Sequence, residues 1–240
     1  HRGFAAQAPE NTLLAFAHAL ALGVTHIETD VHASLDGVAV ISHDPDLVRL
    51  NGRELRVDQL TFAELSRIDL GEGQSFASLA EALDGFPDAR FNIDVKSEDA
   101  VDPTIDAIRA ARATGRVLVT SFSNERRRAA VRGLPGVATS ASAVPFALAL
   151  LAAKLGLSPI VRALLRTVGA VQVPERVGPI RVVTPRTVRM FHAAHCEVHV
   201  WTVNDGDAMT RLLDLGVDGL VTDRSDIAVN IIRDRADRHS

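Results

Sequence analysis

The chain has 240 residues, 47% of them hydrophobic, and a formal net charge of −4 at pH 7. Its apolar content is ample for a core and excludes an intrinsically disordered chain, while the single cysteine, Cys196, excludes an internal disulfide framework. The net charge gives no electrostatic case for nucleic acid or an anionic surface as a partner.

In chain order, a helical pattern over 10–22 is followed by a strand over 25–31. Residues 44–90 form a small insertion with short helical pieces at 61–68 and 78–83. Strands at 91–95, 117–120 and 137–140 then alternate with helices at 103–114 and 124–132. An unusually apolar stretch, 143–168, reads as two short helices meeting at Ser158-Pro159. Strands at 170–173, 198–203 and 219–222 alternate with helices at 185–194, 207–215 and 225–233. Pro103 and Pro185 suit first helical turns, and Gly23, Gly115 and Gly216 sit where helices stop. The dense basic cluster Arg126-Arg127-Arg128 is expected on a solvated helix face. Short β-branched runs alternating with helices predict βαβ units around a parallel sheet. The expected fold is α/β, a TIM (β/α)8 barrel in one domain over 1–240, with the first strand truncated upstream of His1.

The chemistry-bearing residues gather around two histidines. His1 and His43 flank Glu28-Thr29-Asp30, and together these are the parts needed to cleave a phosphodiester with a divalent metal. One histidine takes a proton from the attacking oxygen and the other gives one to the leaving oxygen. Residues two apart in a strand share a face, so Glu28 and Asp30 converge, and their oxygens suit a hard cation, Mg2+ or Ca2+, over zinc. Asp94 and Lys96 repeat this spacing on the next strand, adding a third carboxylate and a cation. Lys96 and Arg2 are suited to phosphate oxygens, and Lys96 is expected to act on the phosphate rather than on structure. Trp201, the only tryptophan, offers a ring for a substrate's carbon skeleton. Ser121-Phe122, Gln172, Asn204 and Asp223 are softer signals at later strand ends. His26 is expected as a hydrogen-bonded core residue, and His18, His192, His195 and His199 on the surface without acidic partners.

The runs His1-Arg2-Gly3, Pro9-Glu10-Asn11-Thr12, Ile27-Glu28-Thr29-Asp30-Val31, Asp36-Gly37 and His43-Asp44 resemble the glycerophosphodiester phosphodiesterase family. Val200-Trp201-Thr202-Val203-Asn204, Gly216-Val217-Asp218-Gly219 and Thr222-Asp223 resemble its closing motifs. The resemblance implies a TIM barrel that hydrolyses glycerophosphodiesters to sn-glycerol 3-phosphate and an alcohol with a divalent metal. It also implies His1 and His43 as the acid–base pair, Glu28, Asp30 and Asp94 as metal ligands, and Arg2 and Lys96 as phosphate contacts. Trp201 matches a residue near the glycerol end. Asp94 stands where many members carry Glu, one methylene longer, and Ala77 replaces a usual Pro.

Two other readings compete. A phospholipase D-like lyase on the same barrel would act on sphingomyelin or lysophospholipids. A catalytically silent scaffold would have lost a histidine or a metal carboxylate, and all are present. No transmembrane segment is expected. The lone cysteine fits a reducing compartment, so a cytoplasmic location is expected, and a signal peptide upstream of His1 would change that. Residues 143–168 are expected to cover the barrel wall. The sharper reading leaves part of their apolar surface exposed, to meet a lipid chain or the second subunit of a homo-oligomer.

Overall fold

The computed structural model describes residues 1–239. The chain divides into two compact units, His1–Ala138 and Thr139–Ser240, each with its own core.

In the first unit, α1 (Leu13–Leu22) begins later than the sequence pattern predicts, because Thr12 caps it through Ala15 N–H and Asn11 leaves the helical path at φ 56°. It ends on Gly23, whose φ of 102° is the left-handed conformation glycine adopts without a Cβ penalty. β1 (His26–Ala33) runs two residues beyond its expected end, since β2 (Ala39–Ile41) pairs antiparallel with it from Val31↔Ile41 to Ala33↔Ala39. Ser34 and Asp36 close the turn between them at 2.6 Å.

The insertion contains β3 (Asp46–Leu47), α2 (Val48–Asn51), β4 (Arg53–Arg56), α3 (Phe62–Leu65) and α4 (Leu79–Gly85). Capping boxes Thr61/Glu64 and Ser78/Glu81 start the last two helices. Val40, Leu47, Val57, Leu65 and Phe76 give this region a small core.

β5 (Arg90–Val95), α5 (Val101–Ala110), β6 (Val117–Thr120), α6 (Asn124–Gly133) and the two-residue β7 (Ala138–Thr139) follow. The strand order is β2-β1-β5-β6-β7, with β1, β5 and β6 parallel. Phe16 lies edge-on to Phe86 and Phe91 at centroid distances of 6.3 and 6.0 Å in the main core. Each fully buried ring of this kind contributes about 1.5–3 kcal/mol. Arg127, expected in solvent, is instead buried on α6, where its Nη2 donates to Asn124 at 3.1 Å.

The second unit opens with α7 (Ala143–Leu155) and α8 (Ser158–Leu165). The break falls at Gly156, and Pro159 opens α8, where its missing N–H costs nothing. β8 (Ala170–Val173), a hairpin of β9 (Arg176–Val177) and β10 (Ile180–Arg181), α9 (Pro185–His192), β11 (Glu197–Val200), α10 (Gly206–Asp214), β12 (Gly219–Leu220) and α11 (Ser225–His239) complete it. β8, β11 and β12 form a parallel sheet in the order β12-β11-β8. Phe191, Met209, Val171 and Val198 lie in its core. No helix of the described residues is long and apolar enough to cross a membrane.

Candidate active site

The His1-Arg2-Gly3 segment is tied to the first unit through its backbone. Arg2 N–H donates to Glu28 O at 2.9 Å and approaches Glu28 Oε2 at 3.1 Å. Asn11 N–H donates to Arg2 O, and Phe4 N–H to Ala15 O, both at 2.9 Å. Gly3 has φ 79°, and a Cβ there would lie 2.7 Å from the Ala15 carbonyl carbon. A side chain at this position would therefore push the loop off α1.

Parallel pairing sets Asp30 directly opposite Asp94, and Glu28 opposite Asn92. Two facing carboxylates repel, and Lys96 answers this with Nζ 2.8 Å from Asp30 Oδ1 and 2.6 Å from Asp94 Oδ2. Lys96 therefore closes a buried ion triad as well as lining the adjoining cleft, a structural duty its sequence position did not reveal. Asp30 Oδ2 also accepts from Asn11 Nδ2 at 3.2 Å and lies 3.4 Å from Arg2 Nε. Asn11 Oδ1 accepts in turn from Thr29 Oγ1 at 2.8 Å.

Burial pushes the Glu28 carboxyl up to about 8, helped by the Asp30 charge and opposed by His1, which stands close enough to act on it. Asp94 is also raised, chiefly by burial. Lys96 would be lowered by burial, but Asp30 and Asp94 hold it above its ordinary value.

Among the described residues no group of three or more His, Cys, Asp or Glu side chains is arranged to hold a metal as it stands. The donor chemistry nevertheless fits a hard cation. Asp94 Oδ1 and Asn92 Oδ1 are buried acceptors without a hydrogen-bond partner, and the carboxylates beside them are all-oxygen donors.

His43 follows β2 and is oriented by a chain of alternating charges. Its Nδ1 lies 2.7 Å from Asp44 Oδ1. Asp44 also accepts from Arg49, Arg49 donates to Glu10, and Glu10 accepts from Arg2 Nη1 at 3.0 Å. Burial works against ionising Asp44, but hydrogen bonds from His43 and Arg49 keep it below the usual carboxylate range. An ionised carboxylate only accepts, so the contact is one in which His43 donates through Nδ1–H.

Beside it lies a cleft of about 510 Å³ lined by His32, His43, Asp44, Arg56, Lys96 and Asp99 among others. His32 was missed by the sequence reading, although the alternation that pairs Glu28 with Asp30 continues to it. It is buried, its Nε2 lies 3.3 Å from His43 O, and burial lowers its pKa. Phe122 is exposed beside Lys96, whose Nζ is 6.0 Å from the ring centroid.

Trp201 belongs to the second unit, where it follows β11 and its N–H donates to Val173 O at 3.0 Å. There Asn204 Nδ2 donates to Asp223 at 2.8 Å, and Asn204 Oδ1 accepts from Thr222 and from Asp223 N–H. His26 is exposed, against the expectation of a core residue, with Nδ1 2.8 Å from Thr25 Oγ1. His192 and His199 have acidic partners after all, Asp218 at 2.8 Å and Glu197 at 2.9 Å.

The sequence profile of the glycerophosphoryl diester phosphodiesterase family matches residues 1–227. A relative in Mycobacterium tuberculosis, named Probable glycerophosphodiester phosphodiesterase 2, is 43% identical over 97% of this chain and 89% of its own length. A solved glycerophosphodiester phosphodiesterase from Thermotoga maritima matches with a TM-score of 0.76 at 25% identity, over 96% of each chain. An Oleispira antarctica phosphodiesterase, solved with the product sn-glycerol-3-phosphate, matches with a TM-score of 0.79 at 23% identity, over 97% of this chain and 95% of that one. The fold class is accordingly the α/β TIM barrel expected from the sequence.

Proposed function

Because the chain belongs to the glycerophosphoryl diester phosphodiesterase family, and so to enzymes that hydrolyse phosphodiester bonds, we propose that the carboxylate–lysine cluster and His43 of its first unit form the centre that cleaves glycerophosphodiesters. The products are sn-glycerol 3-phosphate and an alcohol. The observation that carries this reading is the in-register pair Asp30 and Asp94, bridged by Lys96, next to a cleft that His43 also lines.

His43, held by Asp44, offers Nε2 to take a proton from the attacking oxygen. His1, on the opposite side of the reaction, gives one to the leaving oxygen. Arg2 and Lys96 meet the phosphate oxygens, Lys96 once its two carboxylates are otherwise engaged. A divalent cation, Mg2+ or Ca2+, held by Glu28, Asp30 and Asp94 when bound, supplies positive charge to the phosphoryl group.

The purified chain is to be dialysed against a chelator and assayed on glycerophosphocholine and lysophosphatidylcholine, with choline, the alcohol released from both, as the readout and sn-glycerol 3-phosphate as the second product of the first. Hydrolysis of the first substrate should disappear on chelation and return with Mg2+ or Ca2+. Full activity after chelation would remove the metal from this mechanism, and exclusive action on the lysolipid would replace the substrate.

A further inference from the structure

One face of the second unit is apolar and uncovered. Val144, Leu148, Leu151 and Leu155 form a single stripe along α7 at helical three- and four-residue spacing, and each is between 51% and 67% exposed. The opposite side of the helix buries Ala149, Ala152 and Ala153, with Phe146 and Leu150 packed part-buried against the same core. Leu157 and Ile160 continue the exposed surface at the start of α8, and Val177 and Ile180 stand out on the β9–β10 hairpin. Eight of the thirteen large exposed apolar side chains among the described residues thus fall between 144 and 180. Such concentration marks an interaction surface.

The surrounding charge indicates its occupant. Residues 143–192 contain seven lysines and arginines against one acid, Glu175, a local excess concealed by the chain's net charge. None of the seven pairs with a carboxylate among the described residues, since Glu175 is engaged by Arg211. Several gather at the C-terminal end of the stripe. Lys154 Nζ donates to Arg181 O at 2.8 Å, and the Arg186 guanidinium covers Gly156, 2.5 Å from where a Cβ would stand.

A second copy of the chain is a poor match. Pairing two stripes by a twofold axis sets these cations against one another, or against the N-terminal half of α7 with its positive dipole end. Residues 133–153 contain no charged side chain to receive them. We propose that this face docks on the surface of an anionic phospholipid bilayer. The stripe enters the boundary between headgroups and acyl chains, and the basic residues meet lipid phosphates. At 13 residues, α7 lies along such a surface, whereas a span needs roughly 20.

Flotation of the full chain with vesicles tests this. Binding should be at least about tenfold greater on phosphatidylcholine vesicles containing phosphatidylglycerol than on phosphatidylcholine alone, and should weaken at about 0.5 M salt. Leu148→Gln with Leu151→Gln, and separately Arg181→Glu with Arg186→Glu, should each reduce binding about tenfold, with circular dichroism and melting unchanged. Val144→Gln with Leu155→Gln replaces the first pair if that pair melts early. Equal binding to both vesicle types, or unaltered binding by these variants, overturns the proposal. So does a dimer in light scattering that Leu148→Gln with Leu151→Gln dissociates, since the face would then belong to a second copy.

Discussion

Asp30 and Asp94 sit buried in the first unit with Lys96 between them, whereas in the second unit Val144, Leu148, Leu151 and Leu155 face solvent. Both arrangements invert the usual partition, and neither is the cheapest way to build its region. Taking an ion out of water costs several kcal/mol even after relaxation, and an exposed aliphatic side chain forgoes about 1.5–3 kcal/mol of burial. The two inversions arise from different periodicities. Strand alternation and parallel register concentrate the charge, while helical spacing aligns the apolar stripe. The difference teaches where stability and function separate: the charge cluster must hold together to be useful, and the stripe need only remain uncovered.

The comparison is broken most severely at Lys96. Lys96→Met leaves two facing buried carboxylates without their shared cation and should lower the unfolding free energy by about 3–5 kcal/mol, measured by urea denaturation, along with hydrolysis. A divalent cation should restore part of that stability. Unchanged stability in the metal-free variant would mean that the triad does not support the fold.

At the edge of the cluster the effect should fall on turnover alone. His43→Ala and His1→Ala should each lower kcat by roughly 10²–10⁴, with unfolding free energies within about 0.5 kcal/mol of the parent. A fully active double variant would end the acid–base assignment.

The smallest effect belongs to the partly exposed link between Glu10, Arg2 and Arg49. Burial disfavours the Glu10 carboxylate, but hydrogen bonds and charge from Arg49 and Arg2 leave its pKa below the ordinary value. Its contribution is therefore present above the unfolded value near 4.5 and is lost as pH falls through the lower folded value. Solvent screening limits it to about 1 kcal/mol or less. Glu10→Gln should flatten this part of the stability–pH curve, and an identical curve would show the link to be idle.

Much of the site was legible because it is local. Glu28 and Asp30, or Asp94 and Lys96, are two residues apart, and strand alternation alone aligns them. The element pattern was legible for the same reason, and 117–120 and 170–173 agree with the observed strands to the residue. The contacts joining Arg49 to Glu10 across 39 positions were not, because no periodicity connects a loop to an insertion. His32 escaped because β1 was expected to stop at 31, and only pairing with β2 carries it further. The Lys96 triad depended on knowing which residue of β5 faces Asp30, a register that two separate strand patterns do not encode.

That register also acts on folding fidelity. Ile93 and Val95 belong to the apolar core, while Asp94 between them faces Asp30. A slip of β5 by one residue would exchange these sides, moving Asp94 and Lys96 together toward the core and setting an aliphatic chain opposite Asp30. Misaligned conformers would thus be penalised by the same charges that are proposed to serve catalysis, and the cluster works as a proofreading mark for the sheet that carries it.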